Sequence, residues 1–141
     1  MKGNAFLIAA IAGLALVGCN KAESPAEVQH DVADARADAQ RDVADAQADA
    51  RENTADAQKD VADAQADHDA EDVADQAQQA SESGAKNDYK VAVAQAEATH
   101  EVASEKCEAM SGDAQKACKD RADRDLEAAK RAAEQRRDGS G

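Results

Sequence analysis

The amino-acid sequence predicts an all-α protein: an elongated long helix able to enter a coiled coil, then an antiparallel αα-hairpin, with no globular core. Three observations lead there. Beyond residue 18 the chain carries 33 alanines, but its large apolar side chains are only eight valines, one leucine, one methionine and one tyrosine. Burying a Val or Leu contributes roughly 1.5–3 kcal/mol, so this set cannot offset the ordering entropy of a compact domain. An 11-residue repeat matches three helical turns at about 3.67 residues per turn. Pro25 is the only proline, so nothing after it forces a helix to stop. Such a composition reads as long helix or as disorder.

The elements follow in order. Lys2 precedes an uncharged, mainly apolar run, Ala5–Gly18, of 14 residues ending in small side chains. That is the pattern of an export signal, and it falls short of the ~20 residues a bilayer span needs. Residues 1–18 are therefore expected to be the signal peptide. Its end, Leu16-Val17-Gly18-Cys19, resembles the bacterial lipobox. The resemblance implies cleavage between Gly18 and Cys19 and a diacylglyceryl group on the Cys19 sulfur. It also implies that Asn20, in place of Asp, sends the product to the outer membrane, facing the periplasm. The alternative is a plain secretory signal cut near Gly18 with Cys19 unmodified. Residues 19–26 form the lipidated end and tether, and Ser24-Pro25 is a helix start signal.

Residues 27–80 are predicted as one acidic helix. Asp-Val-Ala-Asp recurs at Asp31, Asp42, Asp60 and Asp72, with Asn53-Thr54-Ala55-Asp56 as a degenerate copy. Val32, Ala35, Ala39, Val43, Ala46, Ala50, Thr54, Ala57, Val61 and Ala64 step by 3 and 4 along one stripe. Asp31, Asp34, Asp38, Asp42, Asp45 and Asp49 occupy a neighbouring face, and Arg36, Gln40 and Gln47 lie across the stripe from it. The narrow Val/Ala seam suits close packing on another helix, and a homo-oligomer through it is one expected use. Like charges at i,i+4 weaken the isolated helix by a few tenths of a kcal/mol each. A single helix of this length reaches about 80 Å at 1.5 Å per residue.

Ser81-Glu82-Ser83-Gly84 predicts a hinge over residues 81–85, the alternative being a softened point in one continuous helix. Residues 86–137 are expected to form the hairpin, placed at the far end of the rod, and 138–141 a flexible tail. Tyr89, Val93, Ala96, His100, Ala103, Cys107 and Met110 step 4,3,4,3,4,3 as a heptad seam. Ser111-Gly112-Asp113 is the turn, with Gly112 after one helix and Asp113 capping the next. An antiparallel pair turning there sets Cys107 against Cys118, Ala103 near Ala122 and Tyr89 near Arg136. In a straight helix the two sulfurs would be roughly 16 Å apart. An oxidising periplasm favours a Cys107–Cys118 disulfide. Two free, half-buried thiols are the alternative.

The net charge of −13 opposes binding to nucleic acid or to anionic headgroups. His30, His68 and His100 lack metal-ligand spacing. His68 sits among Asp67, Asp69, Glu71 and Asp72, which reads as a solvated acidic face rather than a wrapped cation site. No phosphate loop, nucleophile elbow or calcium loop is present, so no cofactor, metal or catalytic residue is expected and the chain reads as a non-enzyme. The lipobox followed by an Asp/Ala/Val helix is similar to the major murein lipoprotein class, although that class ends in a wall-linked Lys and this chain ends Gly139-Ser140-Gly141. The stretch from Tyr89 through Cys107 and Cys118 to Lys130 resembles a recurrent module of small uncharacterised proteobacterial envelope proteins. The Ala-rich 11-residue repeats resemble late-embryogenesis desiccation proteins, which are Lys-rich where this segment is acidic. The expected function is a membrane-anchored periplasmic spacer, structural or interaction element, touching an envelope protein or peptidoglycan non-covalently. The alternative is a largely disordered acidic shielding protein that binds partners or cations.

Overall fold

The computed structural model describes residues 22–67 and 70–139. It consists of three helices, α1 (Pro25–Ala66), α2 (Ala70–Cys107) and α3 (Gly112–Asp138), with no strand among the described residues. The all-α expectation is met. Gly18, Cys19, His68 and the last two residues of the tail lie outside the described residues.

Local chemistry sets the start of α1. Ser24 has extended backbone, and its hydroxyl accepts the Glu27 N–H at 3.3 Å while Glu27 accepts the Ser24 N–H at 3.0 Å. This reciprocal box satisfies two amide donors that no helical carbonyl reaches. Pro25 follows at the first helical position, where its missing N–H costs nothing.

Two boundaries depart from the sequence expectation. The single helix over 27–80 ends at Ala66, where the Asp67 N–H still bonds the Asp63 carbonyl at 3.1 Å. α2 runs antiparallel along α1. The hinge at 81–85 is absent, because Ser81–Ala85 lie inside α2. Ser83, Gly84 and Ala85 are half-buried, and Gly84 lines a cleft with Thr54 and Ala55 of α1. Packing on a neighbouring helix outweighs the ~1 kcal/mol that a mid-helix glycine costs.

The hairpin expected over 86–137 is present as the second half of α2 plus α3. Its turn begins earlier than expected: α2 stops at Cys107, not Met110, and the Met110 N–H bonds the Cys107 carbonyl at 3.0 Å. Gly112 takes a left-handed φ of +59° and opens α3, a conformation that carries a steric penalty for residues with a Cβ. Ser111, not Asp113, is the cap residue, and its side chain makes no capping bond.

The three helices lie side by side with α2 in the middle. No Cα pair within 8 Å joins α1 to α3 among the described residues. The Glu23 N–H bonds the Glu108 carbonyl at 3.1 Å, so the start of α1 and the α2–α3 turn share one end. The hairpin therefore does not cap the far end of an 80 Å rod. It flanks the base of a rod about 63 Å long, set by the 42 residues of α1. α3 accompanies α2 up to Tyr89, and beyond that level α1 and α2 continue as a two-helix arm.

The predicted stripe is the surface on which α1 packs. Val32, Ala35 and Ala39 are buried; Val43, Ala46, Ala50, Ala57, Val61 and Ala64 are half-buried; only Thr54 is exposed. Within the chain, α2 covers the seam.

Candidate functional site

The base gathers nearly all the chemistry that links helices. Cys107 and Cys118 form a disulfide with a Cα–Cα separation of 5.6 Å, within the ordinary range, and Cys107 is 1% exposed. Around it α2 and α3 are joined by a ladder in one register. Glu108 pairs with Lys119, His100 Nε2 lies 2.7 Å from Asp123, and Lys130 lies 2.8 Å from Glu97. At the top the Arg137 guanidinium stacks 4.8 Å from the centre of the Tyr89 ring. The sequence mirror placed Arg136 there; the neighbouring arginine makes the contact. Both arginines, with Tyr89, line a cleft of about 680 Å³.

The electrostatics follow from these neighbours. Hydrogen bonding to Glu108 raises the Lys119 pKa, and hydrogen bonding to Glu97 raises that of Lys130. Lost hydration, then the charges of Asp31 and Glu108, raise the Glu23 carboxyl above its ordinary value. The Ser24 hydrogen bonds lower Glu27.

One constellation was not anticipated. Ser104 Oγ, His100 and Asp123 meet, with Ser104 at 3.4 Å and Asp123 at 2.7 Å. Both contact the same ring nitrogen, Nε2. A nucleophile–base relay needs the carboxylate on one nitrogen and the hydroxyl on the other, so this arrangement is a cross-helix tie. Helical spacing in α2 puts Ser104 one turn after His100, but only the α2–α3 register brings Asp123 to them.

Between α1 and α2 the linkage is different. Asn87, buried at 4% exposure, donates from Nδ2 to the Ala50 carbonyl and accepts from Asn53 Nδ2, both at 3.4 Å. A buried amide of this kind fixes helix register, because a slipped pairing would leave it unsatisfied. Along one side of the same pair runs an open groove. A cleft of about 760 Å³ over Ala39, Val43, Ala98 and Val102 meets one of about 380 Å³ at Gln47. No group of three or more His, Cys, Asp or Glu suited to a metal ion is found among the described residues. No helix among them is long and apolar enough to cross a membrane.

No protein-family model, curated protein or solved structure matches the chain.

Proposed function

We propose that the chain is a membrane-anchored periplasmic lipoprotein that acts as a structural, spacer or interaction element of the cell envelope. The observation that carries the reading is Leu16-Val17-Gly18-Cys19 at the end of an export signal, directly upstream of a slender helical rod. Cys19 precedes Glu23 by four residues, so acyl chains on its sulfur lie within about 14 Å of the rod's base. The disulfide-pinned end then faces the membrane, and the tip of the α1–α2 arm stands about 60 Å from it. Met110, an exposed large apolar side chain, sits in the turn at that same end. Two acyl signals give stable anchoring where one chain is marginal. A thin helical layer leaves its carboxylates hydrated, which suits holding and presenting rather than catalysis.

The test is the intact mass of the exported protein. The expected product lacks residues 1–18, carries acyl mass on Cys19, and gains two hydrogens on reduction. An exported product with no acyl mass overturns the reading.

A further inference from the structure

The α1–α2 pair has one face almost free of carboxylates, in a chain that carries 30. On α1 this face runs from Arg36 through Gln40, Val43, Gln47 and Arg51 to Gln58, with no acid among the groove-lining positions. On α2 it runs from Gly84 through Asp88, Val91, Gln95 and Val102 to Lys106, where Asp88 is its single acid. Both rows advance in steps of three and four, the spacing of a helical seam. This strip is distinct from the Val/Ala stripe, which α2 already covers. On the opposite side of the pair, the cleft between the same helices is lined by Asp56 and Asp60.

We propose that a second copy of this chain docks on this strip in parallel orientation, so that two α1–α2 pairs build a four-helix bundle. Charge opposes this strip less than the rest of the surface. Each copy carries −13, so most approaches set many carboxylates together, whereas two facing strips bring only Arg36, Arg51, Lys106 and Asp88 from each copy, and the Arg51–Asp88 pairing across the interface offsets part of that small like charge. Register then selects the parallel arrangement. Asn87 is bonded to Asn53 and to the Ala50 carbonyl, which puts Arg51 and Asp88 at one level on different helices. In a bundle with its two-fold axis along the rod, α1 of one copy faces α2 of the other. Each Arg51 then meets Asp88 of the second copy, while Val43 and Val102 close the centre. The size is adequate. The strip spans about 33 Å of α1 and two helices about 9 Å apart. That buries roughly 600 Å² per copy, or about 1,200 Å² in all, the lower edge of stable interfaces.

The dimer does not depend on lipidation, although parallel packing leaves both tethers at one end. Sedimentation equilibrium of the intact chain in density-matched detergent tests it. The expected result is a concentration-dependent dimer. Ala44→Glu with Gln47→Glu places acids in the strip at an exposed and a half-exposed position. This pair is expected to weaken the dimer at least about tenfold, because docking would bury the added carboxylates beside Val43 and Val102 without partners, with helicity by circular dichroism unchanged. Arg51→Glu alone is expected to weaken it as well, and adding Asp88→Arg to restore it. A monomer at all concentrations up to about 1 mM, a dimer indifferent to the two added acids, or an Arg51→Glu defect that Asp88→Arg fails to repair would each overturn the proposal.

Discussion

The base of the rod and its arm use the same two helices but are held in different ways. At the base, α2 is flanked on both sides, and Val28, Val32, Ala35, Ala39, Cys107, Ala122 and Ala133 are buried. There a disulfide, ion pairs and an Arg–Tyr stack cross from helix to helix. In the arm the facing residues Val61, Ala64, Val73 and Ala80 are only half-buried. Its Lys59–Asp63 and Gln78–Glu82 pairs join neighbours on one helix, so they support helicity without joining helices. With so few large apolar side chains, a third helix and a covalent link raise burial where alanine alone cannot. The arm relies on a seam of small residues and on the Asn87 tie at its lower end. Local opening is therefore cheaper in the arm than in the base.

The largest expected effect breaks this contrast at its strongest point. Cys118→Ser removes a bridge closing a loop of about a dozen residues, a loss of roughly 3 kcal/mol in the chain-entropy account. Hydrogen exchange is expected to accelerate around residues 100–125 and to change little in the arm. Equal acceleration throughout would show that base and arm open as one unit.

A smaller effect sharpens it. Ala133 is 1% exposed, so Ala133→Leu overpacks the α2–α3 contact and is expected to cost about 2 kcal/mol. Ala57→Leu, the same change at a half-buried arm position, is expected to be neutral or slightly stabilising because the seam there has room. Thermal melts of the two variants decide it, and equal losses would contradict a loosely packed arm.

The smallest effect depends on pH. The fold raises the Glu23 pKa, so Glu23 binds its proton more readily folded than unfolded. Its stabilising contribution is present below the ordinary carboxylate range and is lost as pH rises through the raised value. Glu27 has the opposite sign: its lowered pKa contributes above the ordinary range, and that contribution is lost as pH falls through the lowered value. Glu23→Gln is therefore expected to raise the melting temperature slightly at pH 7, and Glu27→Gln to lower it there. A Glu23→Gln melting temperature below the parent's at pH 7 refutes the assignment.

Much of this was legible in the sequence because it depends on local chemistry. Ser24, Pro25 and Glu27 interact within one turn, so the start of α1 could be read to within two residues. The stripe from Val32 to Ala64 is a property of helical period, and nine of its ten positions are buried or half-buried. Cys107 and Cys118 sit symmetrically about a glycine turn, so their pairing followed from the turn. The turn between α1 and α2 was misplaced because Ser81-Glu82-Ser83-Gly84 has the composition of a break, whereas Asp67 and its neighbours read as more acidic repeat. A signal was present: Asp60 to Asp72 is a 12-residue step in an 11-residue pattern, and it spans the reversal. The Ser104–His100–Asp123 contact and the acid-poor strip were hidden because each needs residues from two helices whose register is set only in three dimensions.

By itself the sequence determined that this chain is helical, where its apolar seam runs, how its first helix is capped and which cysteines meet. These outcomes arise from interactions within a few turns or across one tight turn. Tertiary structure alone decided that the seam of α1 is covered by α2 of the same chain, that a glycine-bearing segment stays helical, and that the disulfide lies at the end where α1 begins. The reason is that an alanine seam is complementary to any similar seam. Which partner it takes is settled by chain reversal and by the long-range register of Asn87, not by the seam's own residues.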